Sequence, residues 1–155
     1  MADITPPDDE GLSAPHVLEY AYKRSLGPVL GRFFTGLRDG KIEGIRTRSG
    51  RVLVPPSEYD PANGEATTED FVEVGPAGTV KSWAWVGTPR GSHPLAHPFA
   101  FALIELDGAD TALMHVVDTG SEAAMSTGMR VSPRWAAEPV GCIQDIAAFV
   151  PEESA

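Results

Sequence analysis

Apolar positions along this chain follow two periods, and the switch between them divides it. From Pro15 onward, Val17, Leu18, Tyr20, Ala21 and Leu26 line one helical face, and Pro15 suits a first helical turn. Gly27-Pro28 interrupts that run; Val29, Leu30, Phe33, Phe34 and Leu37 then recur at helical spacing until Asp39-Gly40 supplies a stop. Two short helices are therefore predicted. The rest of the chain has the pattern of strands. Residues 51–54 are strand-like before the stiff Pro55-Pro56 corner, and residues 71–74 form a short strand before a Gly-Pro-Ala-Gly turn. Residues 80–86 make a further strand. Residues 99–106 and 111–117 form a hairpin with Asp-Gly at the tip of its 107–110 turn. A short helix or loop over 118–127, strand pieces at 129–131 and 133–135 around a kink, and a closing strand over 143–150 complete the series.

Alternation over 80–86 places Val80, Ser82, Ala84 and Val86 on one face and Lys81, Trp83 and Trp85 on the other. The two indoles either fill the interior of a small barrel or form a platform for a ligand or partner. The Phe33-Phe34-Leu37 stripe likewise packs on the chain's own core or docks into a groove of another protein. The loop 87–98, GTPRGSHPLAHP, is long for a hairpin and carries Arg90, His93 and His97. Histidines four apart pair on a metal only when they share a helix, and Pro94 between them opposes one. They remain hydrogen-bonding or phosphate-facing residues of a binding loop, or members of an ordinary surface loop. His115, within the apolar run LMHVV, is expected at the edge of the core with a backbone partner.

The stretch 42–64, IEGIRTRSGRVLVPPSEYDPANG, has the skeleton of a metal knuckle pair. A zinc ribbon presents two thiolates from each of two tight turns of the form Cys-x-x-Cys-Gly. Here the frames fall on 46–50 and 60–64, so the four ligand positions hold Arg46, Ser49, Asp60 and Asn63. A guanidinium, a hydroxyl, one carboxylate and an amide do not make a structural zinc site. No zinc and no other cofactor is expected.

With these frames in place, the chain resembles a family of small proteins that join an N-terminal helix, a rubredoxin-like zinc ribbon and a C-terminal OB-fold. The matching residues are FFTGLRDGKIEGIRTRSGRVLVPP (33–56), the DPANG turn, GTVKSWAWV (78–86), HPFAFALIELDG (97–108), GMRV (128–131) and IQDIAAFVP (143–151). The departure is the loss of all four ribbon cysteines. The resemblance implies a mainly β protein: an OB-fold β-barrel with N-terminal helices and a degenerate, metal-free ribbon. It also implies a non-catalytic accessory subunit of a thiolase-like enzyme of acyl-CoA metabolism, of the lipid-transfer thiolase or aldolase type, in steroid or fatty-acyl side-chain breakdown. An acyl-CoA-binding module, or a partner of an acyl-CoA hydratase, is the alternative. Lys81, Trp83, Trp85, Arg90, His93, His97, Phe33 and Phe34 are the candidate contacts to partner or acyl-CoA.

Composition and charge narrow this further. The 155 residues suit one compact domain with an appendage, divided as an acidic tail (1–14), N-terminal helices (15–40), ribbon segment (41–70), OB-fold (71–151) and a C-terminal tail (152–155). A formal net charge of -10 argues against a nucleic-acid surface, which requires clustered Lys and Arg to displace counterions from phosphates. Basic residues gather early, at Lys23, Arg24, Arg32, Arg38, Lys41, Arg46, Arg48 and Arg51, as a solvated face or a patch for an anionic surface. The single cysteine, Cys142, cannot form an internal bridge and is read as a small apolar filler. With no apolar run of membrane length, a cytoplasmic location is expected. No phosphate-binding glycine loop or nucleophile elbow is present in the sequence, and no enzyme activity of its own is expected.

Overall fold

The computed structural model describes residues 15–20 and 25–152. The expected acidic tail at 1–14, Ala21, Lys23, Arg24 and the last three residues lie outside the described residues. Helix α1 (Gly27–Arg38) is the second of the two predicted helices. Pro28 sits in its first turn, where the missing N–H has no partner to lose, and Gly40, at φ 73°, follows its end. Phe33 and Leu37 are buried on one face of α1, while Phe34 is half-buried against the same core. The first predicted helix is not formed over 15–20, which carries no regular structure. Val17, Leu18 and Tyr20 there are 74%, 67% and 75% exposed, so their helical spacing has no surface of this chain to pack against.

Two sheets follow. The smaller contains β1 (Glu43–Arg46), β2 (Val52–Leu53) and β3 (Phe71–Glu73) in the antiparallel order β2-β1-β3. Gly44 lies where a Cβ would meet Val52 Cγ1 at 2.7 Å and the Leu53 carbonyl at 2.8 Å, so only glycine permits the close approach of β2. Within the segment read as the OB-fold, Phe71–Glu73 pair with β1, in the register Glu43↔Glu73 to Ile45↔Phe71, before the Gly75-Pro76 turn redirects the chain.

The larger sheet is a closed barrel of β4 (Gly78–Val86), β5 (Phe99–Leu106), β6 (Ala112–Val117), β7 (Arg130–Trp135) and β8 (Ile146–Pro151), ordered β4-β5-β6-β8-β7. β6 and β8 are parallel and the other pairs antiparallel. Five strands closed in this order form an OB-fold. Val80, Ile104, Leu113, Val117, Val131, Ile146 and Phe149 fill its interior, and α1 contributes Phe33 and Leu37 to the same cluster. The predicted crossing over 118–127 contains a single 3₁₀ turn, Glu122–Ala124, beside the buried Met125. β7 is continuous, its expected kink reduced to a register shift between Arg134 and Trp135. The start of the predicted closing strand is a 3₁₀ turn, Ile143–Asp145. There the Asp145 carboxylate accepts hydrogen bonds from the backbone N–H groups of Val140, Gly141 and Cys142.

The two sheets are joined by the tip of the β5–β6 hairpin. The Val52 N–H donates to Asp110 Oδ2 at 2.7 Å and the Asp110 N–H donates to the Val52 carbonyl at 2.8 Å. One residue pair further on, the Val54 N–H donates to Thr111 Oγ1 at 2.7 Å, and that hydroxyl donates to the Val54 carbonyl at 3.0 Å. The hairpin tip thus satisfies the free edge of β2, which would otherwise carry unpaired backbone groups. Asp110→Ala is expected to lower the unfolding free energy by about 1–3 kcal/mol, with Asp110→Asn recovering part of the loss. Urea denaturation measures both, and an unchanged midpoint for the alanine variant would refute the role.

Candidate functional site

Each of the two frames, 46–50 and 60–64, ends in a turn closed by a glycine. Gly50 and Gly64, the glycines ending the two frames, have φ of 90° and 75°, the left-handed conformation that the frame requires. Their N–H groups donate to the carbonyls of Thr47 and Asp60. The side chains at the four ligand positions are all engaged elsewhere. Arg46 Nε donates to Asp70 at 2.9 Å, Ser49 bonds the Thr47 hydroxyl at 2.9 Å, and Asn63 Oδ1 accepts from the Glu65 N–H. Asp60 is buried; its Oδ1 accepts from the Ala62 N–H at 2.9 Å and lies 3.5 Å from the guanidinium of Arg51. An arginine–carboxylate contact therefore links the two knuckles. Among the described residues, no group of three or more His, Cys, Asp and Glu side chains is placed to hold a metal ion. The donor set does not fit zinc, which needs four soft or imidazole ligands on one centre.

The early basic residues do not form an uncompensated patch. Arg32 is bidentate with Glu43 and lies 4.2 Å over the Phe71 ring; Arg38, Lys41, Arg46 and Arg51 each face a carboxylate. Hydrogen bonding from Arg32 holds the Glu43 carboxyl below its ordinary range, against the opposing effect of partial burial. Arg48 is exposed and reaches only the Ala66 carbonyl, so apart from it the described part of this region reads as a solvated face with its charges paired.

In β4 the expected two-face alternation breaks at Lys81. Val80 pairs with Ile104 and Ser82 with Leu103, so a bulge absorbs Lys81 between them. The bulge shifts the register by one residue. Trp83 and Trp85 consequently fall on the same inward side as Val80, half-buried against the main core, while Ser82 and Ala84 face out. Lys81 is exposed and pairs with Glu105 at 3.2 Å. The grouping of Lys81 with the two tryptophans on one surface does not survive; the barrel-filling reading of the indoles does. Phe33 is 1% exposed, so within this fold its ring faces the core rather than a partner.

The loop 87–98 folds back over the outer face of β5. His93 stands edge-on to Phe99 and Phe101, with ring centroids 5.8 and 6.3 Å apart, and its Nδ1 accepts from the Arg90 N–H at 3.1 Å. His97 instead reaches Asp118, its Nε2 3.2 Å from Oδ1, and Arg134 donates to the other carboxylate oxygen at 2.9 Å. Burial opposes ionisation of Asp118, but the hydrogen bonds from Arg134 and His97 prevail and hold its carboxyl below the ordinary range. The two loop histidines thus serve different anchors and share no site. Arg90 is exposed beside them.

Beneath this loop lies a feature with no periodicity signal. Phe101↔Val116 and Leu103↔Met114 are cross-strand pairs on the outer face of the barrel, leaving Met114 66% exposed. Phe101, Met114 and Val116, with Pro94, Leu95, Ile143, Gln144, Ile146 and Ala147, bound a cavity of about 450 Å³ to which His115 also contributes. His115 Nε2 lies 3.2 Å from the Ile143 carbonyl, the backbone partner expected for it. Because a carbonyl only accepts, that nitrogen carries the proton and Nδ1 is left as a bare acceptor. Burial pushes the imidazole below its ordinary pKa, outweighing the carbonyl contact, so the ring is neutral at pH 7. The paired strands were legible in sequence, but the cavity needed the loop and the 143–145 turn to meet across their outer face.

The geometry defines the class first: an OB-fold barrel carrying a small three-stranded sheet and one packed helix, with surface grooves. Residues 71–136 match the family model for the ChsH2 C-terminal OB-fold domain. The fold is shared with a protein of unknown function from the DUF35 family of Sulfolobus solfataricus, at 25% identity and TM-score 0.55, over 70% of this chain and 77% of that one. It is also shared with a chain of an Ltp2–ChsH2(DUF35) aldolase, at 20% identity and TM-score 0.61, over 83% of this chain and 98% of that one. No curated protein sequence matches significantly. Among the described residues, no helix is long and apolar enough to cross a membrane.

Proposed function

We propose that this chain is a non-catalytic accessory subunit that binds a thiolase-like or aldolase enzyme of acyl-CoA metabolism, in steroid or fatty-acyl side-chain breakdown. The observation that carries the reading is the match of 71–136 to the ChsH2 C-terminal OB-fold domain, on a chain that shares its fold over 83% of its length with a chain from an Ltp2–ChsH2 aldolase. The described surface agrees with a role in assembly. Val17, Leu18 and Tyr20 project from a segment without regular structure, and three large exposed apolar side chains within four positions are costly unless another surface covers them. Lys81, Arg90 and His97 flank the exposed faces of β4 and the loop 87–98, where they are available as polar contacts at the margin of an interface. The reactive groups of acyl-CoA chemistry then belong to the partner.

The same reading makes the ribbon a metal-free element, its knuckles held by the Arg51–Asp60 contact and by backbone hydrogen bonds. The structural job of zinc is thereby taken over by the hydrogen bonds that join the small sheet to the barrel.

Affinity capture of the tagged chain from its native cells, with mass spectrometry and sizing, is expected to recover a thiolase- or aldolase-class enzyme in fixed ratio. Serine at positions 17, 18 and 20 is expected to abolish that recovery without moving the thermal midpoint. A wild-type chain that emerges as a lone monomer would overturn the proposal. Purified protein is expected to hold far less than one zinc per chain and to keep its thermal midpoint in chelator. A near one-to-one zinc ratio by elemental analysis would contradict the metal-free ribbon.

A further inference from the structure

The long strand β4 is paired along the whole of one edge and only the start of the other. β5 follows it from Gly78 to Val86, whereas β7 pairs with Gly78 and Thr79 alone. The Val80 N–H donates to the Met129 carbonyl and the Val80 carbonyl accepts from the Gly128 N–H, and the contact ends there. Among the described residues, no backbone hydrogen bond reaches 81–86 from that side.

The polar backbone groups of Val80 face β7, so those of Ile104, its partner on β5, face β6. Alternation along β5 then turns the groups of Leu103 and Phe101 toward β4, where they meet Ser82 and Ala84. Trp83 and Trp85 are left with their N–H and C=O groups on the open edge. Only another extended backbone supplies acceptors and donors at that alternate spacing. The bulge at Lys81 interrupts the edge on its N-terminal side and confines pairing to 82–86.

These residues read Ser-Trp-Ala-Trp-Val, nearly symmetric about Ala84. A two-fold axis at Ala84 sets Trp83 against Trp85 of a second copy and Trp85 against its Trp83, so that each pair exchanges backbone hydrogen bonds. The indoles, half-buried in their own barrels, then meet as cross-strand aromatic pairs. At the axis the two Ala84 residues form a pair not bonded to each other, where side chains come closest, and an exposed methyl is small enough to fit. No charge falls in 82–86 and Lys81 is already paired with Glu105, so the contact brings no like charges together although each chain carries a net charge of -10.

We propose that β4 pairs antiparallel with β4 of a second copy about Ala84, forming a homodimer. Both open edges are used in one contact, which stops growth at two chains. Because 82–86 is far shorter than the roughly 20–30 residues a side of a standard interface, the dimer is weak and depends on concentration.

Sedimentation velocity of the full chain tests this. The mass is expected to rise from 16.5 kDa toward twice that value between about 10 µM and 1 mM. Ala84→Lys and Ala84→Glu each place like charges face to face at the axis, and each is expected to weaken the dimer by about tenfold or more at an unchanged thermal midpoint. An equimolar mixture of the two variants is expected to restore it, since opposite charges then meet across the axis. Should one variant fail to fold, loss of the dimer in the other carries the test. A wild-type chain that stays monomeric throughout, folded variants that dimerise as the wild type does, or a mixture that remains monomeric would each overturn the proposal.

Discussion

The structure depends on the join between the β5–β6 hairpin tip and the open edge of β2. The small three-stranded sheet has strands of two to four residues and too little apolar surface of its own to hold together alone. Asp110 and Thr111 tie it to the barrel with four hydrogen bonds to Val52 and Val54, two residues whose side chains are already in the core. The ribbon sheet and the barrel consequently share one hydrophobic cluster, from Phe33 and Ile42 through Val54 to Ile104 and Phe149. Beside that shared cluster, the turns at Gly50 and Gly64 keep left-handed backbone, and the side chains of Arg46, Ser49, Asp60 and Asn63 make local hydrogen bonds.

Sequence and structure agree where one physical signal dominates. The β5–β6 hairpin has alternating apolar residues on both sides of an Asp-Gly turn, and its strands fall where that pattern places them. Helix α1 has its proline start, its glycine stop and a buried stripe between them. The disagreements arise where two signals compete. The bulge at Lys81 is invisible to a strict period of two, and it reverses the faces assigned to the residues before and after it. Residues 15–20 carry helical spacing, yet an isolated short helix is marginal in water and nothing in the described chain covers it. β3 has the composition of a barrel strand, and its sheet was decided by the pairing available to β1.

The candidate site was legible only in pieces. Phe101, Met114 and His115 stood out as members of strands, but their convergence with Leu95 and Ile143 is a product of loop path and barrel closure. The loop histidines looked alike and serve different ends, His93 on an aromatic pair and His97 on Asp118. Chemistry inferred from spacing alone would have joined them. Among the described residues, the fold leaves exposed apolar side chains at Val17, Leu18, Tyr20 and Met114 and a groove on the barrel flank.

Turnover of an acyl-CoA thioester by the proposed partner enzyme, measured with and without this chain, tests most directly where the chemistry resides. The chain by itself should produce none, and the partner's rate or stability should depend on its presence in the complex. Acyl-CoA turnover by the isolated chain, lost when His115 is replaced in a still-folded protein, would contradict the account.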